Sequence, residues 1–128
     1  MDAKELRKLK KFSAQLRIDQ LEMFKQRGMG HIGGCLSVTE LISVLYGKQM
    51  KVDPKNPNWE GRDYLVMSKG HAAPAVEAAL AELGFFDKKL LLTMDVDLNG
   101  RVDAQDVRAL ADSFVQNTAL PTAQEDGQ

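Results

Sequence analysis

The chain has 128 residues, with 17 lysines and arginines against 18 aspartates and glutamates, and a net charge of −1 at pH 7. This length fits one small domain in the usual range of ~100 to 150 residues. No apolar run approaches the ~20 residues that span a bilayer, and the N-terminus carries charges where a signal peptide needs apolar residues. We therefore predict a cytoplasmic protein that binds no membrane.

The charge is distributed unevenly along the chain. Residues 1–94 contain 15 basic and 11 acidic residues, a balance of +4, whereas residues 95–128 contain 2 and 7, a balance of −5. Such a change in composition predicts a boundary near Met94. The lysines before it alternate with Glu5, Asp19 and Glu22, so they form no continuous basic surface, and we expect no binding of nucleic acid.

Two helices are predicted in the first half of the chain. Residues 4–27 carry apolar side chains near helical spacing, and Gly28 follows as a stop signal. These apolar residues are Leu6, Leu9, Phe12, Leu16, Leu21 and Phe24. The sequence from Ser37 to Glu40 has the form of a capping box, which predicts a second helix from Val38 to about Tyr46.

The second half begins with a loop bounded by prolines, Asp53–Asn58. The short apolar run Tyr64–Met67 is typical of a buried strand. Residues Ala72–Leu83 are rich in alanine and precede Gly84, a pattern that predicts a helix and its end. The predicted fold class is therefore α/β and mostly helical.

His31 and His71, the two histidines of the chain, each follow a glycine in a turn. Glycine lets a ligand approach the backbone closely, and histidine is suited to proton transfer or anion contact near pH 7. His71 is predicted where a strand ends and a helix starts, the place where open α/β sheets bind ligands and helix N-termini favour phosphate. The alternative is a pair of loop histidines without a ligand.

Longer motifs surround both histidines. They are the turn Gly30–Gly34 and the segments Leu36–Leu41, Asp53–Pro57 and Arg62–Ala72. From about Phe12 to Met94 the chain resembles the N-terminal part of transketolase, and it is most similar to the short-subunit form, in which two chains share the enzyme. The resemblance implies a truncated thiamine-diphosphate-binding-type domain.

The resemblance also implies roles for the histidines. His71, with Gly70, would contact thiamine diphosphate, and His31 would contact the sugar phosphate near the reacting carbon as a catalytic residue. The third histidine turn of such domains and their Gly-Asp-Gly segment with a following asparagine do not appear in the sequence. We therefore predict a subunit incomplete for ketol transfer and inactive alone. It would need a second transketolase-like subunit carrying the pyrimidine-binding domain, or would act as a homodimer.

Residues 95–106 match the spacing of an EF-hand calcium loop, with Gly100 at the sharp turn. The predicted metal ligands are Asp95, Asp97, Asn99, the Arg101 carbonyl, Asp103 and Asp106. Position 12 is Asp106 in place of the usual glutamate, and its shorter side chain favours weaker Ca²⁺ binding or a preference for Mg²⁺. The alternative is an acidic surface turn between two helices.

The predicted organisation has three parts. Residues 1–94 form the transketolase-like segment, residues 87–117 an EF-hand-like helix-loop-helix unit, and residues 118–128 a flexible tail. Two functions of different class compete. One is an incomplete transketolase-like subunit with one calcium-binding loop, and the other is a calcium-binding module on a catalytically inactive scaffold.

Overall fold

A computed structural model describes residues 1–93, with the side chains of residues 1–91. The helices are α1 (Ala3–Arg27), α2 (Ile32–Ser37), α3 (Thr39–Val44), α4 (Ala73–Leu83) and α5 (Lys88–Thr93). A π-helical turn, Leu45–Gln49, extends α3, and a 3-10 turn, Gly70–Ala72, leads into α4. The predicted calcium loop, most of the EF-hand-like unit and the tail lie outside the described residues.

Helix α1 is the longest helix among residues 1–93, and the other four helices pack against it. It begins with a capping box, in which the Glu5 amide donates to Asp2 Oδ1 at 2.7 Å and the Asp2 amide donates to Glu5 Oε2 at 3.2 Å. It ends at Gly28, whose φ of 73° is the left-handed conformation that glycine adopts without strain. The predicted helix 4–27 and its stop are confirmed.

The core lies where α1 packs against α3, α4 and α5. Its largest members are Leu16 and Met23 from α1, Ile42 from α3 and Leu91 from α5, all at most 1% exposed. Alanines of α4 complete this core, because their small side chains let the helix approach α1 closely. Within residues 1–93, no helix combines the length and hydropathy needed to cross a membrane.

The predicted helix from Val38 to Tyr46 is partly wrong. The chain is already helical from Ile32, is interrupted at Val38 and continues as α3. Ser37 therefore lies at a helix end, where its hydroxyl donates to the Gly34 carbonyl at 3.0 Å and caps no amide. Glu40 forms an ion pair with Arg17 of α1 instead of reaching back to Ser37. The tertiary contact prevails over the local capping pattern.

The predicted buried strand Tyr64–Met67 is also wrong, because residues 1–93 contain no strand. Tyr64 and Val66 are 72% and 86% exposed, whereas Leu65 and Met67 pack against the core. The side chains thus alternate as in a strand, but no neighbouring strand is found within the described part of the chain. The predicted helix Ala72–Leu83 is confirmed as α4, with Gly84 at φ 91°.

A buried ion cluster fixes α5 to the rest of the fold. Asp19 of α1 is fully buried, and its Oδ1 accepts from Lys88 Nζ at 2.8 Å and from Gln15 Nε2 at 3.0 Å. Lys88 also contacts Glu82 of α4 at 2.6 Å. The bonds to Asp19 and then Glu82 raise the pKa of Lys88, and the neighbouring Asp19 followed by burial raises the pKa of Glu82. One ammonium therefore links three helices.

We predict that Lys88→Met lowers the free energy of unfolding by about 2–3 kcal/mol, because it leaves the buried Asp19 carboxylate without its cation. This loss of stability is smaller than for a fully buried ion pair, because Lys88 is partly exposed to solvent. The raised pKa means that the contribution of Lys88 is complete below its unfolded pKa of about 10.4 and is lost as the pH rises beyond it.

Urea unfolding at pH 7 and at pH values above 10 measures both effects. Lys8→Met on the exposed surface of α1 is the matched control and should change stability by less than about 0.5 kcal/mol. Equal stability of Lys88→Met and Lys8→Met at pH 7 would show that the cluster contributes nothing.

Candidate functional site

The fold brings the two histidine turns together, although they are 40 positions apart in the sequence. His31 immediately precedes α2, and His71 lies in the 3-10 turn before α4. Their imidazole rings stack with centroids 4.0 Å apart and an interplanar angle of 25°. Both residues are exposed, so the pair forms a surface that a ligand can reach. The nitrogen lone pairs lie in nearly parallel ring planes, an arrangement that does not direct them toward one ion.

Cys35 holds both turns in place. Its backbone amide donates to the His31 carbonyl at 3.1 Å, and its thiol donates to the His71 carbonyl, also at 3.1 Å. The side chain is completely buried, and burial followed by the nearby Glu77 raises the pKa of its thiol. A neutral thiol is the form that can donate, so this environment preserves the bond to His71. Cys35 is thus the direct link between the two turns.

A chain of buried hydrogen bonds continues from Cys35 to α1. The Thr39 hydroxyl donates to the Cys35 carbonyl at 3.0 Å, and the Gln20 side-chain amide donates to that hydroxyl at 3.0 Å. Gln20 also donates to the Leu16 carbonyl at 3.1 Å. Gln20 and Thr39 are fully buried, so this chain of hydrogen bonds connects the histidine turns to α1.

Small residues leave open surface beside the histidines. A side chain added at Gly33 or Gly70 would meet nothing within 4 Å. At Gly34 the added Cβ would lie 3.1 Å from Lys69 Nζ, which places this ammonium beside the turn that follows His31. An anionic group could therefore approach the backbone here and meet a lysine and two imidazoles.

Glu77 lies behind this surface on α4. Its Oε2 is buried and has no hydrogen-bond partner within the described part of the chain. Burial raises the pKa of Glu77, and the positive charge of Arg27 opposes that shift. Sequence analysis missed Cys35, Thr39, Gln20 and Glu77 as parts of the site, since none belongs to a glycine-histidine motif.

Comparison with known proteins identifies the family. The profile described as transketolase, thiamine diphosphate binding domain, matches residues 8–95. The chain belongs to this family. The resemblance predicted from the motifs around His31 and His71 is therefore confirmed at the level of the N-terminal, thiamine diphosphate-binding domain.

Curated relatives agree. The chain is 51% identical over 75 residues to the 6-deoxy-6-sulfo-D-fructose transketolase subunit SqwG of Clostridium sp. (strain MSTE9), a match over 59% of this chain and 27% of that protein. It is 37% identical over 105 residues to the transketolases of Mus musculus and Homo sapiens, a match over 77% of this chain and 16% of each enzyme. The chain thus spans about a quarter or less of the length of these relatives.

The surface around the histidines is chemically suited to the diphosphate group of thiamine diphosphate. The open surface at Gly33 and Gly70, with Lys69 and both histidines around it, suits an anionic group such as a diphosphate. Residues 1–93 contain no group of three or more His, Cys, Asp or Glu side chains placed to hold a metal ion. The predicted ligands from Asp95 to Asp106 lie outside these residues, so the calcium site stays a prediction.

We predict that Cys35→Ala separates the histidine turns, because it removes the donor to the His71 carbonyl. The free energy of unfolding should fall by about 1–2 kcal/mol. The ring-proton resonances of both histidines should move toward unstacked positions in the NMR spectrum, whereas Cys35→Ser, which keeps a donor, should retain the stacked shifts.

Ser37→Ala is the matched control, since this exposed hydroxyl of the same helix also donates to a carbonyl but does not contact the His71 turn. Unchanged histidine resonances in Cys35→Ala would show that the thiol does not position the turns.

Proposed function

We propose that this chain is an incomplete transketolase-like subunit that supplies contacts to thiamine diphosphate and to a sugar phosphate during ketol transfer. The observation that carries the proposal is the stacked pair His31 and His71, joined by Cys35 in a family of thiamine diphosphate-binding domains. Two motif histidines that meet on one exposed surface are better explained by one binding site, where cofactor and substrate meet, than by two independent loops.

The proposed roles follow the positions of the two turns. Gly70 and His71 begin the segment that leads into α4, and here they would hold the cofactor through the open backbone and the imidazole. His31 would face the substrate and hold or move a proton at an oxygen near the reacting carbon. When bound, thiamine diphosphate supplies the carbanion stabilisation that ketol transfer needs.

The proposal includes a partner. The Clostridium relative is called a transketolase subunit, which supports the idea that this chain also works with a second polypeptide. That partner would carry the pyrimidine-binding domain, and a second copy of this chain is the alternative. The expected absence of turnover by the isolated chain and its cytoplasmic location stay predictions.

We predict that His71→Ala weakens thiamine diphosphate binding about tenfold more than His31→Ala does, a difference of about 1.4 kcal/mol. The physical reason is that His71 would contact the cofactor, whereas His31 would contact the substrate. NMR titration of the chain with thiamine diphosphate and magnesium measures both affinities, with the histidine ring protons as reporters.

Lys51→Ala, an exposed cation on the loop before residue 53, is the control for general loss of positive charge and should bind like the wild type. Absence of any ring-proton shift at millimolar cofactor would contradict the proposed function. Equal losses of thiamine diphosphate affinity in His71→Ala and His31→Ala would contradict the assignment of roles.

The second candidate function is calcium binding by the loop Asp95–Asp106. The observation that favours it is the placement of oxygen ligands at positions 1, 3, 5, 7, 9 and 12 with Gly100 at position 6. The loop begins at residue 95, where the match to the family profile ends. Calcium binding and cofactor binding could coexist in one chain.

We predict one calcium site with a dissociation constant of about 10⁻⁵ to 10⁻³ M, since a single loop with the short Asp106 belongs to the weaker part of the known range. Asp95→Ala should abolish the calorimetric signal, while Asp112→Ala, outside the loop, should retain it. The hypothesis fails if millimolar calcium gives neither heat nor a change in circular dichroism relative to chelator.

A further inference from the structure

A cavity beside the loop 51–63 contains no residue of the two histidine turns. Its volume is about 380 Å³, toward the lower end of the ~300–1,000 Å³ that ligand pockets occupy. The occupant that it suits is therefore a small molecule. No step of the proposed function uses this cavity, so its shape and its charges need a separate explanation.

The interior of the cavity is apolar. Half-buried side chains from four parts of the chain line it: Tyr46, Leu65, Leu80 and Phe85. The left-handed Gly84 brings two of them together, because the Phe85 amide donates to the Leu80 carbonyl at 3.0 Å across the end of α4. An apolar side chain of a ligand would be enclosed here, and the rings of Tyr46 and Phe85 favour an aromatic one.

Tyr46 reaches the cavity from the π-helical turn Leu45–Gln49. Such turns are rare, and they occur frequently at functional sites. Burial raises the pKa of Tyr46, so its hydroxyl stays protonated at neutral pH and adds no charge to the wall. The charged lining residues are Asp53, Arg62 and Asp63, and both aspartates are exposed. The charges therefore lie at the mouth of the cavity.

Arg62 supplies a positive charge that is held in place without being neutralised. Its Nη1 donates to the Trp59 carbonyl at 2.8 Å, and its guanidinium carbon lies 4.5 Å from the centroid of the Tyr64 ring. A carbonyl and an aromatic ring carry no net charge, so the guanidinium keeps its own. Its planar fork of N–H donors matches a carboxylate, which it can bind through two parallel hydrogen bonds.

The two aspartates supply negative charges, and each is fixed by a backbone amide. Asp63 Oδ2 accepts from the Lys51 amide at 2.7 Å, and Asp53 Oδ1 accepts from the Lys55 amide at 2.9 Å. Within the described part of the chain, neither carboxylate forms an ion pair with Arg62. The mouth thus presents fixed charges of both signs that do not neutralise each other.

We propose that this cavity binds a free α-amino acid with an apolar side chain. Arg62 binds its carboxylate, Asp53 and Asp63 bind its ammonium, and the apolar interior encloses its side chain. The proposal goes beyond the proposed function, because the amino acid takes no part in ketol transfer.

Molecules with a charge of one sign fit the cavity less well. An apolar carboxylic acid would leave the two aspartates without a cation, and they would repel it at the mouth. An apolar amine would leave Arg62 without an anion. A sugar phosphate would place hydroxyl groups against apolar side chains that offer them no hydrogen bond. A zwitterion with an apolar body pairs with the charges of both signs.

Calorimetry and NMR on the full chain test the proposal, with L-phenylalanine as the probe and the ring protons of Tyr46 and Phe85 as reporters. Three analogues each lack one recognised group: hydrocinnamate lacks the ammonium, phenethylamine lacks the carboxylate, and glycine lacks the apolar side chain. We expect millimolar phenylalanine to bind. Each analogue should bind about tenfold more weakly or worse, because it loses a charge-assisted hydrogen bond or the apolar contact.

Variants assign the two charges. Arg62→Gln should weaken phenylalanine binding about tenfold without weakening phenethylamine binding, since that amine has no carboxylate. Asp53→Asn combined with Asp63→Asn should weaken phenylalanine binding to a similar extent without weakening hydrocinnamate binding. Each asparagine keeps an oxygen that can accept from the Lys51 or Lys55 amide.

Lys55→Gln and Glu60→Gln are the matched controls and should bind phenylalanine like the wild type. Both remove an exposed charge from the same loop, and neither residue lines the cavity. Circular dichroism of each variant confirms that the helices are intact.

The proposal is overturned if millimolar phenylalanine gives neither heat nor a shift of the Tyr46 and Phe85 ring protons. Binding of any of the three analogues as tightly as phenylalanine also overturns it, as does a folded Arg62→Gln variant that binds phenylalanine like the wild type. The comparison of analogues uses the wild-type chain, so it decides the matter even if a variant does not fold. Thiamine diphosphate binding is measured at the histidine ring protons, so its failure would contradict the proposed function alone.

Discussion

The candidate site depends on the double contact made by Cys35. One small buried residue binds the carbonyls of both histidine turns, through its amide and its thiol. Without the thiol bond, the two turns would keep only the packing of α2 against the turn before α4 and against α4 itself. Neutrality of the thiol matters, because a thiolate cannot donate, and burial keeps the pKa of Cys35 raised.

Polar groups connect this contact to the body of the protein. Gln20 and Thr39 are completely buried within an otherwise apolar region, and they would be costly there without their mutual hydrogen bond. A second polar cluster starts from the neighbouring residue of α1, Asp19, whose buried carboxylate pairs with Lys88 of α5. This ion pair fixes α5 to α1. Helix α1 thus carries both the apolar core and the polar links that set the site and the last described helix.

The sequence by itself determined the family, the helices α1 and α4 and their glycine ends, because these depend on local periodicity, on capping and on the conformational freedom of Gly28 and Gly84. Its glycine-histidine motifs also predicted His31 and His71 as candidate ligand contacts. The tertiary structure decided the rest. Glu40 pairs with Arg17 of α1 and therefore does not form the expected capping box with Ser37. Segment 64–67 has no neighbouring strand among residues 1–93. Pairing of that kind depends on groups distant in sequence or on another chain. The contact between His31 and His71 and its support by Cys35 likewise arise only when α2 meets the turn before α4, which no local pattern encodes.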